Sequence, residues 1–195
     1  MNSTPNRQIT PASTSSAHRA LFLDRDGVIN EEINYLHRPE QVRFLPGIFS
    51  LSRHAQALGY KLIVVTNQAG IARGYYTEED FHALTRWMEA AFAREGVRLD
   101  RTYFCPHHPE HGVGAYRREC PDRKPNPGML LHASRDFSLD LARSVFIGDR
   151  CTDMAAGQAA GVGTLLLLEG VERGDCAEVL QYQRIPTLDA ALPLL

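Results

Sequence analysis

The chain has 195 residues, 44% of them hydrophobic and 23% charged, and its 21 basic and 23 acidic side chains leave a formal net charge of -2. A chain of this size forms one globular domain and buries roughly 70% of its unfolded surface, so neither a disulfide nor a metal is needed merely to make a core. The charge balance, with no cluster of Lys and Arg, speaks against nucleic acid or an anionic membrane as partner, and no apolar run approaches the roughly 20 residues that span a bilayer.

Residues 1–19 (MNSTPNRQITPASTSSAHR) are rich in Ser, Thr, Asn and Pro and hold no apolar stretch of the kind a secretory signal needs. They are expected to form a flexible tail, with 20–195 as a single domain. Cys105, Cys120, Cys151 and Cys176, without such a signal, point to a reducing compartment, the cytoplasm, where thiols serve metals or packing rather than disulfides. Cys151 reads as a small packing residue, and Cys176 carries no signal.

From position 20 onward, short β-rich runs alternate with longer helical patterns. A strand at 20–24 (ALFLD) is followed by a helix at 47–58 behind Pro46 and a strand at 61–66 (KLIVVT). A helix at 77–93 opens with a capping box of Thr77 and Asp80, and a strand at 101–105 (RTYFC) follows. Asn126 before Pro127 reads as the cap of a third helix; then come a strand at 144–148, a helix at 152–160 stopped by Gly161, and a strand at 163–168. Near-continuous apolar strands are covered on both faces, so the pattern predicts an α/β three-layer sandwich with a Rossmann-like parallel sheet.

Open parallel sheets bind ligands at the carboxyl ends of their strands. Those ends read Asp24-Arg25-Asp26-Gly27-Val28, Thr66-Asn67-Gln68 and Gly148-Asp149, with Asp153 four residues on and Lys124 in the loop Arg123-Lys124-Pro125. Three carboxylates, a hydroxyl and an ammonium converging on one edge make a site for a phosphate and a divalent cation. In an extended chain Asp24 and Asp26 share a face while Arg25 points away. An ionised Asp can attack phosphorus. Bringing it within 4 Å of a phosphate dianion costs roughly 8 kcal/mol at an effective dielectric of 20, about six powers of ten in rate, so a cation has to offset the repulsion. Mg²⁺ suits Asp24, Asp149 and a main-chain carbonyl at Asp26. Lys124 and Thr66 then stabilise the transferring phosphoryl group, and Asp26 remains for proton transfer. Taken singly, each of these residues reads as an ordinary turn, cap or surface charge; it is their joint occurrence, in order, at predicted strand ends that points to chemistry.

The segments Asp24-Arg25-Asp26-Gly27-Val28-Ile29-Asn30, Thr66-Asn67-Gln68-Ala69-Gly70-Ile71-Ala72-Arg73-Gly74, Arg123-Lys124-Pro125 and Gly148-Asp149-x-x-x-Asp153 resemble the haloacid dehalogenase-like phosphatases over about residues 20–170. Cys105-Pro106-His107-His108-Pro109 and Pro125-x-Pro127-Gly128-Met129 extend the likeness to the branch that acts on heptose bisphosphates. The resemblance implies Asp24 as nucleophile, Asp26 as acid and base, Asp24, Asp26 and Asp149 as Mg²⁺ ligands, and Asp153 behind them. It implies substrate contacts at Glu32, Ile33, Asn34 and Tyr35, at Thr66, Asn67, Gln68 and Ala69, and at Arg123, Lys124 and Arg150.

About 40 residues separate Asp24 from Thr66, too few for an inserted cap domain, so loops must select the substrate. A sugar bisphosphate and a monomeric enzyme are the expectation. The family's structural zinc loop is matched by Cys105, His107 and Cys120, with Asp122 where a fourth Cys is usual. Three other readings stay open: a histidinol-phosphate phosphatase with a related Cys/His loop, a receiver-type phospho-acceptor domain, which should lack Asp26, and a non-catalytic carbohydrate-phosphate binding module.

Overall fold

The computed structural model describes residues 17–170 and 176–195. Six parallel strands form one sheet: β1 (Ala20–Leu23), β2 (Lys61–Asn67), β3 (Arg101–Cys105), β4 (Val145–Gly148), β5 (Thr164–Leu168) and β6 (Gln183–Ile185), in the order β3-β2-β1-β4-β5-β6. The order reverses between β1 and β4, and the crevice at their carboxyl ends is where an open α/β sheet receives its ligand.

Alternation along β1 explains the layers. Leu21 and Leu23 enter one apolar cluster with Leu62, Val64, Ile48, Leu51, Leu84 and Phe92. Ala20 and Phe22 enter the other with Ile63, Val65, Phe146, Met129, Leu130 and Met154. The first cluster is closed by α1 (Ile48–Ala57) and α3 (Glu78–Arg94), the second by α4 (Gly128–Phe137) and α5 (Cys151–Ala160). The capping box at the start of α3 forms as read: Thr77 Oγ1 accepts from the Asp80 main-chain NH at 3.1 Å, and the Asp80 carboxylate accepts from that of Thr77 at 2.9 Å. Between β1 and β3 the described chain runs only through a short 3-10 turn, α1, β2, the one-turn α2 (Ala69–Ala72) and α3, so no cap domain is inserted there.

Several details depart from the expectation. Of the tail at 1–19, positions 1–16 lie outside the described residues, while Arg19 stacks on Tyr60 at 4.1 Å and donates to the Leu58 carbonyl. Asn126 does not cap α4; Pro127 holds the cap position and the Asn126 amide donates to the Cys120 carbonyl at 3.0 Å, bracing the preceding loop. Strand β6, of only three residues with a polar start, gave no apolar run to detect.

The expectation of thiols without disulfides is corrected by a Cys151–Cys176 disulfide. Its partners stand 25 residues apart in sequence, with β5 between them, yet 5.1 Å apart at Cα. Among the described residues no helix is long and apolar enough to cross a membrane.

Candidate active site

The strand ends place the acidic residues, and the turn after β1 decides how they point. The Arg25 carbonyl accepts from the main-chain NH groups of Ile29 and Asn30 at 2.9 and 3.1 Å, so the chain turns immediately after Asp24. The strand alternation expected for Asp24 and Asp26 therefore ends before Arg25. Instead of pointing away, Arg25 is buried and chelates the Asp26 carboxylate, with Nη2 at 2.9 Å from Oδ2. Gln68 and Asn30 donate to the same carboxylate at 3.2 and 3.0 Å.

Asp24 faces the other way. Its carboxylate accepts from the Arg25 main-chain NH at 2.7 Å and pairs with Lys124 Nζ at 2.9 Å. Lys124 reaches from the loop after the Cys/His segment, is 3% exposed, and spends its remaining donors on Asp153 at 2.7 Å and the Val65 carbonyl at 2.9 Å. Burial alone would discharge it, but Asp153 and Asp24 override that and raise its pKa. Asp153 sits in the first turn of α5, where its carboxylate also takes the Arg150 main-chain NH at 3.0 Å.

Asp149 completes the acidic group. Ligand oxygens of Asp24, Asp149 and Asp153 all lie within 4.8 Å of one another, and both Asp149 oxygens are buried with no hydrogen-bond donor among the described residues. Gly27 makes this approach possible: at φ +88°, a Cβ on it would fall 2.2 Å from the Asp149 carboxylate. Burial pushes Asp24 up to about 7 against the pull of Lys124; burial and then the neighbouring charges of Asp24 and Asp153 push Asp149 up to about 8. A buried Asp149 carboxylate without a donor, crowded by Asp24 and Asp153, is the hard-oxygen environment that a divalent cation such as Mg²⁺ fills. The Asp26 side chain stands outside this group, bound instead by Arg25, Gln68 and Asn30.

A cavity of about 420 Å³ opens above this floor. Of the residues expected to meet substrate, Glu32, Asn34, Tyr35, Thr66, Asn67, Gln68, Ala69, Arg123, Lys124 and Arg150 line it. Ile33 does not; its side chain packs on the apolar core, as the only aliphatic residue of that loop segment should. Asn67 lines the wall with both ends of its amide committed to Lys124: it donates to the Lys124 carbonyl at 3.0 Å and accepts from its NH at 3.1 Å. Arg150 is paired with Glu32 at 3.1 Å across the mouth. Sequence reasoning missed Tyr76 and Leu36 in the lining and gave no place there to Cys151. The aromatic at 76 falls within the Ala72-Arg73-Gly74 neighbourhood of the second motif, which was the available signal.

Beside the cavity, ligand atoms of Cys105, His107 and Cys120 gather within 4.8 Å of one another. Asp122, expected as their fourth partner, is turned elsewhere: its carboxylate pairs with His132 of α4 at 3.1 Å. Burial pushes the Cys105 thiol up to about 12, with Cys120 adding to the rise. The cluster is tied to the site directly, since Arg123 Nη1 donates to the His107 carbonyl at 3.1 Å.

Comparison with known proteins follows the same lines. The profile of the HAD-hydrolase-like family matches residues 122–189. The chain is 58% identical over 151 residues, 77% of its own length and 80% of the relative's, to the D-glycero-alpha-D-manno-heptose-1,7-bisphosphate 7-phosphatase of Burkholderia mallei. It is 51% identical over 152 residues, 78% of its length and 82% of the relative's, to the D-glycero-beta-D-manno-heptose-1,7-bisphosphate 7-phosphatase of Vibrio cholerae. The solved D,D-heptose 1,7-bisphosphate phosphatase of B. bronchiseptica, complexed with magnesium and phosphate, superposes with a TM-score of 0.74 at 27% identity, covering 90% of this chain and 97% of that one. With an acidic crevice at the β1/β4 switch point and relatives this similar over most of both lengths, the chain belongs to the heptose 1,7-bisphosphate 7-phosphatase family of haloacid dehalogenase-like hydrolases.

Proposed function

We propose that the protein hydrolyses the 7-phosphate of a D-glycero-D-manno-heptose 1,7-bisphosphate through an aspartyl-phosphate intermediate, in the cytoplasmic supply of lipopolysaccharide precursors. The observation that carries the reading is the buried Lys124 held between Asp24 and Asp153 beneath an open cavity, in a chain 58% identical to a phosphatase of that name. Asp24 Oδ attacks phosphorus and the phosphorus–oxygen bond to the sugar breaks; water then attacks the acyl phosphate, releasing inorganic phosphate and restoring Asp24. Asp26 gives a proton to the departing sugar oxygen in the first half and takes one from water in the second. Lys124 and Thr66 carry the charge spread over the equatorial oxygens. Asp24, Asp149 and the Asp26 carbonyl would hold Mg²⁺, which when bound would supply the charge that lets two anions meet.

The second phosphate selects the bisphosphate over a cationic substrate. Arg123 and Arg150 line the cavity and offer forked donors to it; Arg150 must exchange its Glu32 partner to do so. A zinc ion on Cys105, His107 and Cys120 would order the loop that carries Arg123 and Lys124. A cytoplasmic setting would hold Cys151 and Cys176 as thiols for much of the time.

The test is a kinetic comparison of both heptose bisphosphate anomers with histidinol phosphate. One bisphosphate should lead in kcat/KM by at least about a hundredfold, roughly 2.7 kcal/mol of transition-state binding. Equal or better turnover of histidinol phosphate would overturn the substrate, and absence of steady phosphate release would favour a receiver-type domain or a binding module.

A further inference from the structure

Tyr76, between α2 and α3, buries a polar ring that neither the sequence motifs nor the reaction accounts for. One face stacks on His37 with centroids 5.3 Å apart and planes 8° apart. The ring also lies so close to Gly70 that a Cβ there would fall 2.1 Å from it. Pinned in this way, the hydroxyl reaches Gln68 Oε1 at 2.5 Å. A carboxamide oxygen only accepts, so Tyr76 is the donor, and burial raises its pKa to about 12, which keeps that proton in place.

The same Gln68 oxygen accepts from Arg25 Nη2 at 3.1 Å. With the oxygen committed twice, the amide nitrogen is left to donate to Asp26 Oδ2 at 3.2 Å and to Thr66 Oγ1 at 2.8 Å. Turning the amide over would set its NH₂ against the Arg25 guanidinium and its oxygen against the Asp26 carboxylate, and both contacts would be repulsive.

We propose that Tyr76 is a positioning residue: through the Gln68 amide, its hydroxyl holds the Asp26 carboxylate in its working orientation. The proposal rests on Asp26 being the proton-transfer group. Asp26 is then gripped on one side by the charged fork of Arg25 and on the other by a neutral donor whose direction Tyr76 fixes, so loosening that donor slows turnover without weakening substrate binding.

Tyr76→Phe keeps the ring, the His37 stack and the Gly70 contact and removes only the hydroxyl. It should lower kcat roughly three- to tenfold, the scale of one neutral hydrogen bond, while KM stays within about twofold. In an Asp26→Asn background the same change should cost less than about twofold, because the group it positions is already disabled. Gln68→Met should reproduce the kcat loss, and Tyr76→Phe should add nothing to it. A raised KM at unchanged kcat would assign Tyr76 to substrate contact and overturn the proposal, as would a full kcat loss persisting in Asp26→Asn or no loss at all. Near-wild-type turnover by Asp26→Asn alone would strike the proton-transfer reading itself, a failure separable from that of the Tyr76 relay.

Discussion

At the floor of the cavity Lys124, Asp24 and Asp153, with Asp149 behind them, are each less than a tenth exposed, whereas at its mouth Tyr35 is 39% exposed. Apart from Lys124, which reaches in from a loop, the floor residues hang from strand ends or the first turn of a helix, and most have short, charge-assisted bonds that permit one arrangement. Mouth residues such as Tyr35 hang from loops, and Tyr35 meets another loop aromatic, Tyr75, edge-on at 4.5 Å. The contrast follows from what each region has to do. Phosphoryl chemistry needs a fixed, water-poor array in which charges are worth most, while selection among sugars needs groups that a different loop sequence can replace without disturbing the core.

The largest effects should come from breaking the floor. Asp24→Asn removes the nucleophile, and phosphate release should fall below detection; Asp26→Asn keeps it and should lose roughly 10²- to 10⁴-fold in kcat. Both variants should fold, and near-wild-type release from Asp24→Asn in a steady-state phosphate assay would eliminate the covalent route.

Gly27→Ala attacks the same floor through the backbone. The added methyl would meet the Asp149 carboxylate at 2.2 Å from a residue at φ +88°, so chemical denaturation should show a loss of about 2 kcal/mol or more, with weakened Mg²⁺ binding. An unchanged midpoint would mean that the floor is softer than its packing implies.

The metal-free floor should also reveal itself through pH. Asp24 and Asp149 have pKa values raised to about 7 and about 8 from an unfolded value of 3.8, so the folded state binds more protons than the unfolded chain between these limits. Their contribution to stability is complete below pH 3.8 and is lost as pH rises through about 7 to 8. Denaturant titrations without metal should therefore show stability falling over that window, and Asp149→Asn should flatten the slope. Mg²⁺ should stabilise more at pH 8 than at pH 5, since it competes with those protons. A slope unaltered in Asp149→Asn would place the proton uptake elsewhere.

The floor was also the region most legible in the sequence. Apolar strands and capping signals located β1 to β5 to within a residue or two, and the strand-end rule then put Asp24, Thr66 and Asp149 together without any side-chain geometry. Local orientation was the part that failed. Arg25 was read from strand alternation, but the chain turns one residue too early for alternation to apply, and the guanidinium swings in to Asp26. Ile33 was carried into the substrate loop by resemblance, although burial of an aliphatic side chain decides its direction. The Cys151–Cys176 contact depends on a long excursion through β5 that no spacing rule encodes.

The smallest expected effect tests the border between floor and mouth, at the Cys/His loop. The sequence places Asp122 two residues after Cys120, where the family usually has a thiolate, and a carboxylate is an acceptable if weaker zinc donor. In the folded chain the side chains of Cys105, His107 and Cys120 converge, while Asp122 pairs with His132 on the neighbouring helix. If that pairing persists with metal bound, three protein ligands and a solvent molecule hold the zinc, and the fourth protein position contributes nothing to affinity. Metal analysis of protein purified without chelator should then find near one zinc per chain in both wild type and Asp122→Ala, with competition by a chromophoric chelator changed by less than about threefold, whereas Cys120→Ser should lose the metal. A large loss of zinc in Asp122→Ala would show that the carboxylate leaves His132 to complete the site. No zinc in fully active wild type would show that packing alone orders the loop and that Arg123 needs no metal behind it.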